Sequence, residues 1–306
     1  LIPLCAPENA KLPTALALGS FDGLHLGHKK VIKAILKEPI GVPTVVSFWP
    51  HPREVLFGES RLRLDLPNEK TFLLEPLGIE QLVLVPFDKN LASKSAETFV
   101  EEILVKTLHA KHIAVGENFR FGRNREGDTS TLKKIGNSLG IKISIVSIVE
   151  DNHGRLSSSR VRKALNEGDL KHAKYLLKRP YTFRGTVEKG RGLGKKIGWP
   201  TANLKIDGRK FLPSLGVYAA WASIANKKER FLAVMNMGPQ PTIDPNSLSA
   251  VEVHILDKEI NLLGHELIVE PVQRIRLQKK FENIEALSKQ ISLDAILAKE
   301  ILTKKL

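Results

Sequence analysis

The apolar residues of the chain follow one pattern up to about residue 149 and a different one after residue 178. In the first part, short apolar runs typical of buried strands alternate with segments whose apolar residues recur at helical spacing. The predicted strands are 14–18, 44–48, 81–85, 112–115 and 142–148, and the predicted helices are 25–36, 96–108 and 130–138. This alternation is typical of βαβ units and predicts an α/β fold with a doubly wound parallel sheet.

The second part begins after a helical stretch at 165–177, where Arg179 and Pro180 mark a boundary. The predicted strands are 181–187, 216–224, 230–235, 250–256 and 266–271, with no helix between them. Strands in direct succession predict a small antiparallel β-barrel or sheet, and apolar residues at core spacing predict a terminal helix over 284–302. A chain of 306 residues is long enough for two cores, so we expect domains at 12–178 and 179–306.

Composition narrows the classes of protein that fit. The chain is 42% apolar and 26% charged and has no run long enough to span a bilayer. Residues 1–11 lack the basic start and apolar core of a signal peptide. The single cysteine, Cys5, excludes an intrachain disulfide and a cysteine-cluster metal site, so we expect a cytoplasmic protein with no membrane partner.

The net charge of +14 allows two kinds of partner. It suits a protein that binds ATP and phosphorylated products, and it also suits one that binds nucleic acid. The cations are spread along the chain and only 6% of the residues are aromatic, which leaves little material for base stacking. Nucleic acid is therefore the less favoured partner.

The stretch 19–28, Gly-Ser-Phe-Asp-Gly-Leu-His-Leu-Gly-His, lies between the first predicted strand and the first predicted helix. A turn at the carboxyl end of a parallel strand is where α/β proteins bind ligands, and the following helix offers free N–H groups to a phosphate. His25 and His28 are three residues apart and share one face of that helix. Two imidazoles there can hydrogen-bond a phosphoryl group as its charge builds in a transition state.

Two further polar segments follow predicted strands. The segment 116–123 contains Asn118, whose amide both donates and accepts, and arginines that can bind phosphate. The segment 157–162 reads Ser-Ser-Ser-Arg-Val-Arg, and its serines are candidate helix caps. A hydroxyl-rich helix start followed by arginine can also hold the phosphates that leave as pyrophosphate.

These three segments together resemble the adenylyltransferase half of the bacterial bifunctional riboflavin kinase/FAD synthetases. The His-x-Gly-His motif within 19–28 is similar to that of the whole nucleotidyltransferase superfamily, and by itself it also fits a cytidylyltransferase. The segment 116–122 resembles the Gly-x-Asp/Asn-Phe-x-Phe-Gly segment of FAD synthetases, and 157–162 resembles their Ser-Ser-Thr-x-Ile-Arg motif.

The resemblance implies a Rossmann-like nucleotidyltransferase domain in which His25, His28 and Arg162 are catalytic. The implied nucleotide or flavin contacts are Gly19, Phe21, Asp22, Gly23, Asn118, Ser158 and Ser159. A Phe-x-Pro-His-Pro segment also recurs in FAD synthetases, which implies a flavin-side contact for His51.

A glycine-rich loop opens the second part. Four glycines within 190–198 are interleaved with lysines and an arginine, so the backbone can approach phosphates closely. The loop lacks the terminal Gly-Lys-Ser/Thr order of a Walker A sequence. Followed by Pro-Thr-Ala-Asn at 200–203, it resembles the riboflavin kinase motif, which implies that Thr201 and Asn203 bind Mg²⁺ and ATP. The implied nucleotide contacts in the loop are Gly190, Gly194 and Lys195, the last standing where an arginine is usual.

Phosphorylation of a hydroxyl calls for a carboxylate to orient it or to accept its proton. Alternation along 250–256 puts Glu252 and His254 on one face of a strand, which alone indicates a solvent-facing glutamate. Riboflavin kinases carry a Glu-x-His strand, so the resemblance implies that Glu252 is catalytic and that Arg276 lies in a stretch that closes over flavin. Departures from the family pattern that bear on kinase rate and flavin affinity are Gln240, Ile243 and Leu263.

The expected function is the synthesis of flavin cofactors in two steps. Riboflavin is phosphorylated by ATP to FMN, and FMN is adenylylated by ATP to FAD with release of pyrophosphate, with Mg²⁺ accompanying the ATP. The expected partners are thus riboflavin, FMN, ATP and FAD. Two alternatives stay open: that only one activity is retained, or that the chain is a basic nucleic-acid-binding protein on a nucleotidyltransferase scaffold.

Overall fold

Contacts within the chain divide it into two units. The structure, a computed structural model, describes residues 1–38, 40–190, 194, 198–238 and 251–304. The first unit comprises Leu1–Arg61 and Asp65–Ser158, and the second comprises Leu62–Leu64 and Ser159–Leu306. The division by contacts falls before residue 178, and the functional boundary expected there stays a prediction.

A parallel sheet forms the centre of the first unit. Its strands are β1 Leu4–Cys5, β2 Thr14–Leu18, β3 Val42–Trp49, β4 Gln81–Pro86, β5 Ala110–Gly116 and β6 Lys142–Val146. Among the described residues their order is β1-β4-β3-β2-β5-β6, and all neighbouring pairs are parallel. The chain moves from β2 to β3 on one side and later returns to β5 on the other. This confirms the doubly wound sheet and makes the pair β2–β5 its topological switch point.

Helices connect these strands. They are α1 Leu26–Leu36, α2 Pro52–Phe57, α3 Pro67–Leu74, α4 Lys89–Ser93, α5 Ala96–Thr98, its π-wound continuation Phe99–Thr107, and α6 Thr129–Ser138. Short 3₁₀ turns occupy Pro7–Asn9, Glu75–Leu77 and Arg123–Arg125, and a hairpin is formed by β7 Glu150–Asp151 and β8 Gly154–Arg155. The apolar pattern does not predict α2 and α3, which are short and start at a proline, whose fixed φ suits the first helical position.

Side chains of the central strands alternate between two buried faces of the sheet. On β2, Ala15 and Ala17 pack in the cluster that includes α1. Leu16 and Leu18 pack in the other cluster, with Val100 of the π-wound helix. Because both faces are covered, β2 is a continuous apolar run rather than an alternating one.

The second unit is built on a closed antiparallel barrel. Its strands are β9 Phe183–Glu188, β10 Ala202–Lys205, β11 Gly216–Ile224, β12 Phe231–Met237, β13 Val251–Ile255 and β14 Glu266–Arg276. They close in the order β10-β13-β12-β11-β14-β9, which confirms the small barrel. The apolar pattern does not predict β10, because its four residues offer only two inward apolar side chains.

The remaining helices are α7 Ser158–Glu167, α8 Leu170–Leu177 and α9 Ile284–Thr303. The helix expected at 165–177 is interrupted at Gly168, whose φ of 74° lies in the left-handed region. Helix α9 covers part of the outer face of the barrel, where Ala298 packs in one cluster with Val217 and Val234. Within the described ranges, no helix is long and apolar enough to cross a membrane.

The short segment Leu62–Leu64 belongs to the second unit although the chain on both sides of it belongs to the first. Backbone hydrogen bonds join Arg63 to Arg209 and to Phe211. The Lys210 ammonium, which is fully buried, donates to the Leu64 carbonyl at 2.7 Å. The segment therefore supplies a hydrogen-bond acceptor to the Lys210 ammonium, which water does not reach.

Candidate functional site

Two loops of the first unit leave the ligand-binding edge of its sheet. The loop 19–28 follows β2, and the loop 117–122 follows β5, so both start at the carboxyl ends of the switch-point strands. Open α/β sheets bind ligands in the crevice at this position. The two segments that the sequence places on the ligand edge are thus brought to neighbouring strands.

The loop 19–28 has an unusual backbone held by buried side chains. Phe21 and Leu24 have positive φ angles of 46° and 45°, a conformation that is rare for bulky residues and persists only where the surroundings enforce it. Both side chains are buried, and Gly23 is also left-handed at φ 89°. The Phe21 ring lies against Gly19, where an added Cβ would be 3.4 Å from the ring.

Hydrogen bonds from three other segments fix this loop. The Lys70 ammonium donates to the Ser20 carbonyl at 2.8 Å, and the Ser158 hydroxyl donates to the Asp22 carbonyl at 2.7 Å. The Asp65 N–H donates to Asp22 Oδ1 at 3.4 Å. Lys70 and Asp22 are both buried. Two of the predicted residues, Ser158 and Asp22, are therefore brought together, and their bond shapes the loop.

His25 and His28 stack at the start of α1 with their ring centroids 3.8 Å apart. The Nδ1 atom of each ring is buried and has no hydrogen-bond partner among the described residues. Buried polar atoms are normally paired, so two such atoms side by side indicate a place for a ligand. An added Cβ at Gly27 would lie 3.1 Å from the His25 ring, so the glycine of the His-x-Gly-His motif leaves room for the first histidine.

Burial and neighbouring cations keep both imidazoles neutral. Burial is the main cause that lowers the pKa of His25 to about 4, the Arg155 charge adds to the effect, and Asp22 opposes it. Burial also holds the pKa of His28 well below its usual range, with further contributions from His25, Lys70 and Arg155. At neutral pH each ring therefore has one N–H to donate and one nitrogen that accepts.

Arg155 of β8 links this histidine pair to the loop after β5. With the Asn118 amide oxygen turned toward it, Arg155 donates from Nη2 at 2.7 Å and from Nη1 at 2.8 Å. Sequence reasoning missed both Arg155 and Lys70. Nothing in their spacing distinguishes them from the other cations of a basic chain, and only the burial of Lys70 and the position of Arg155 reveal them.

Other residues implied for this reaction have different surroundings. Ser159 is exposed in the first turn of α7, and Arg162 Nη2 donates to the Leu62 carbonyl at 3.0 Å within the second unit. His51 Nδ1 accepts from the Arg53 N–H at 3.1 Å and so caps α2. The ligand contacts implied for these three residues stay predictions.

In the second unit, four residues form what we call the polar row: Glu188, Asn203, Glu252 and Asn236. The strand register pairs each with the next across β9, β10, β13 and β12. Directly opposite residues share a face, with Cβ atoms about 4.5–5.5 Å apart. All four are half-buried, whereas their neighbours along each strand are buried or point to the other face. The polar row thus lies on the outer face of the barrel.

Two described residues of the glycine-rich loop, Gly190 and Gly194, pack against Asn203 of the polar row and against Trp199 and Thr201. An added Cβ at Gly190 would overlap the Asn203 amide. At Gly194 it would overlap the Trp199 carbonyl and lie 3.3 Å from Thr201 Oγ1. The backbone can approach this closely only because these residues are glycines. Four of the predicted kinase residues are therefore brought together.

His254, the next outward residue on β13, braces the same segment. Its Nδ1 lies 2.7 Å from the Pro200 carbonyl oxygen, and its ring meets Trp199 edge-on at 5.1 Å. Glu252, in contrast, makes no hydrogen bond or ion pair with any described residue. The fold thus positions this segment and leaves the Glu252 carboxylate for a ligand.

Arg276 has a partner within the fold. It donates to the buried Asp294 of α9 from Nε at 3.0 Å and from Nη2 at 2.8 Å, and it lies 5.6 Å from the Phe281 ring. The pair ties β14 to α9, and the implied flavin contact stays a prediction. Leu263 is exposed, and the predictions on Lys195, Gln240 and Ile243 fall outside the described residues.

Comparison with known proteins identifies both parts of the chain. The FAD synthetase family model matches residues 8–160, and the riboflavin kinase family model matches residues 177–302. The chain is 35% identical to the bifunctional riboflavin kinase/FMN adenylyltransferase of Haemophilus influenzae over 93% of each chain. It is 36% identical to that of Escherichia coli K12, over 93% of this chain and 91% of the relative.

A solved structure is similar along almost the whole length. It is described as a macrolide-efflux protein from Streptococcus pneumoniae and has a TM-score of 0.82 at 29% identity. The match covers 97% of this chain and 98% of that chain. The similarity therefore includes both the parallel sheet and the barrel.

Proposed function

The chain belongs to the bifunctional riboflavin kinase/FMN adenylyltransferase family, and from this premise we propose how its residues carry the two reactions. It phosphorylates riboflavin to FMN and adenylylates FMN to FAD. The observation that carries the residue assignment is that a stacked histidine pair lies at the parallel sheet and the polar row lies on the barrel. We place both reactions in the cytoplasm, where the single cysteine stays reduced.

In the adenylylation, an FMN phosphate oxygen attacks the α-phosphorus of ATP, the bond to the β-phosphate breaks, and pyrophosphate leaves. This chemistry needs positioning and charge stabilisation rather than a covalent nucleophile. His25 and His28 donate to the α-phosphate oxygens as negative charge builds on them. Lys70 and Arg155, whose charges lower the pKa of His28, contribute positive charge beside the rings.

The two ends of the substrates meet different groups. On the resemblance of 157–162 to the family motif, Ser159 and the Arg162 guanidinium are the groups we assign to the leaving pyrophosphate. Asn118, held by Arg155, is assigned to a ligand contact at the carboxyl end of β5.

In the kinase reaction, Glu252 accepts the proton of the terminal ribityl hydroxyl as that oxygen attacks the γ-phosphorus and ADP leaves. No described residue competes for its carboxylate. Thr201 and Asn203 hold the phosphate end of ATP. The backbone at Gly190 approaches Asn203 closely, and the backbone at Gly194 approaches Thr201.

Mg²⁺ is part of this proposal. Within the described ranges, no group of three or more histidine, cysteine, aspartate or glutamate side chains is placed to hold a metal ion. Mg²⁺ typically binds through one or two protein oxygens together with substrate phosphates and water. Thr201 and Asn203 offer such oxygens, and the backbone at Gly190 and Gly194 approaches these two residues closely. When bound, the ion neutralises charge on the phosphates.

The test is to incubate the purified protein with riboflavin, ATP and MgCl₂ and to separate the flavins by chromatography. We expect FMN and then FAD, and neither product when EDTA replaces MgCl₂. FMN without FAD, even when FMN is supplied, would limit the function to the kinase. Neither product from riboflavin or from FMN would contradict the proposal.

A further inference from the structure

Asn236 is a member of the polar row to which the mechanism gives no part. It lies directly opposite Glu252 in the β12–β13 register and is half-buried on the same outer face. Leu232 and Val234, the other outward residues of β12, pack in the cluster beneath α9. Asn236 is therefore the polar end of a strand that is otherwise covered.

Gln278 holds the Asn236 amide in one orientation. Gln278 Nε2 donates to Asn236 Oδ1 at 3.0 Å and to the Met237 carbonyl at 2.8 Å. Because this bond turns the amide oxygen toward Gln278, the NH₂ group of Asn236 is left to donate to another partner. No described residue accepts from that NH₂ group, and none pairs with the Glu252 carboxylate opposite it.

A carboxylate and an amide side by side match two neighbouring hydroxyls. Directly opposite residues on antiparallel strands have Cβ atoms about 4.5–5.5 Å apart, so both side chains can reach adjacent carbons of a polyol. One hydroxyl would donate its proton to Glu252, while the oxygen of its neighbour accepts a hydrogen from the Asn236 amide. The ribityl chain of riboflavin carries such a pair at its end.

We propose that Asn236 is a substrate-binding residue of the kinase site, held by Gln278, whose NH₂ group binds the ribityl hydroxyl next to the one that is phosphorylated. The inference rests on the proposed role of Glu252 in the kinase reaction. Asn236 would hold the terminal hydroxyl against the Glu252 carboxylate, so its substitution should affect the binding of riboflavin and not that of ATP.

The first experiment measures steady-state kinetics of FMN formation by Asn236→Ala. We expect the KM for riboflavin to rise about tenfold, as for one lost hydrogen bond, with the KM for ATP unchanged. Gln278→Ala, which releases the amide, should raise the riboflavin KM by a smaller factor. Gln273→Ala removes an exposed amide from β14 and is the matched control that should change neither constant.

An unchanged riboflavin KM in Asn236→Ala would overturn the inference, and so would an equal rise in the KM for ATP. Thermal unfolding curves report whether each variant is folded. If Asn236→Ala is unfolded, Asn236→Asp replaces it, since it keeps the size but exchanges the donor for a second carboxylate beside Glu252. This variant should raise the riboflavin KM at least as much.

The second experiment uses a riboflavin analogue that lacks the hydroxyl next to the terminal one. The wild type should lose about tenfold in kcat/KM on the analogue, and Asn236→Ala should lose nothing further, because the two changes remove one interaction. Losses that multiply would overturn the inference. If the wild type forms no FMN, the proposed function fails and the inference fails with it, whereas multiplying losses in an active enzyme overturn the inference alone.

Discussion

The two sites of this chain are built in opposite ways. At the parallel sheet, His25 is 7% exposed and Phe21 is 2% exposed, on a loop with left-handed bulky residues and several anchoring hydrogen bonds. On the barrel, the polar row consists of half-buried side chains on regular strands, and the strand register aligns them.

The difference determines which kind of change each site tolerates. The buried site sets the charge state of its imidazoles through packing, so small changes of shape should alter its chemistry. The open site presents a half-buried carboxylate with which no described residue pairs, so the chemical group itself should matter most. Exchanging single side chains in each unit, with both reactions measured, tests this contrast.

The largest expected effect is that of Glu252→Gln on the open site. This substitution keeps the shape but removes the proton acceptor, so FMN formation should fall about 10³-fold while FAD formation from supplied FMN is unchanged. Product chromatography from each substrate measures both. Glu188→Gln, two positions from Glu252 along the polar row, is the matched control and should retain most of the kinase activity; an equal loss would assign the effect to the row as a whole.

His25→Asn should lower FAD formation about 10²-fold, because it removes one donor to the α-phosphate oxygens. FMN formation should stay within about twofold of the wild type, because His25 lies in the first unit and the proposed kinase residues lie in the second. His109→Asn is the control, as His109 is exposed and has a positive φ that asparagine tolerates. Equal losses in the two histidine variants would contradict the role of His25.

Adding one methyl group distinguishes packing from chemistry. Gly27→Ala places a Cβ 3.1 Å from the His25 ring and should lower FAD formation about tenfold, as a small misplacement of a catalytic group does. Gly190→Ala crowds the Asn203 amide and should lower FMN formation by a similar factor. Lys30→Ala, on the exposed side of α1, should affect neither reaction. A cross-effect of either glycine variant on the other reaction would remove the contrast.

The smallest effect concerns stability against pH. The pKa of His25 is about 4 in the folded chain and near 6.5 when unfolded, so between these values the unfolded state binds more protons and stability falls as the pH falls. At pH 5 this costs about 2 kcal/mol relative to pH 8. The drop in Tm between pH 8 and pH 5, followed by calorimetry, should therefore be about 4 °C smaller in His25→Asn. Glu252→Gln should leave that drop as it is in the wild type, and an unchanged drop in His25→Asn would count against the buried neutral imidazole.

Local patterns account for what could be predicted from the sequence. The apolar run of β2, the alternation along β13 and the spacing of His25 and His28 all report on contacts within a few residues, and the structure contains each of them. Contacts between distant segments could not be predicted in this way. The hydrogen bond of Lys70 to Ser20 depends on how α3 packs, and the alignment of Asn236 with Glu252 depends on the register of two strands.

The segment Leu62–Leu64 has a consequence for recombination between relatives. A cassette that starts at Ser159 contains all the barrel strands but lacks the carbonyl that accepts from Lys210 and the backbone partners of Phe211. A buried ammonium that loses an acceptor is costly, so the transplanted barrel should have a lower free energy of unfolding. The barrel is therefore not one contiguous block of sequence: the chain that receives it has to supply backbone groups in place of those of residues 62–64.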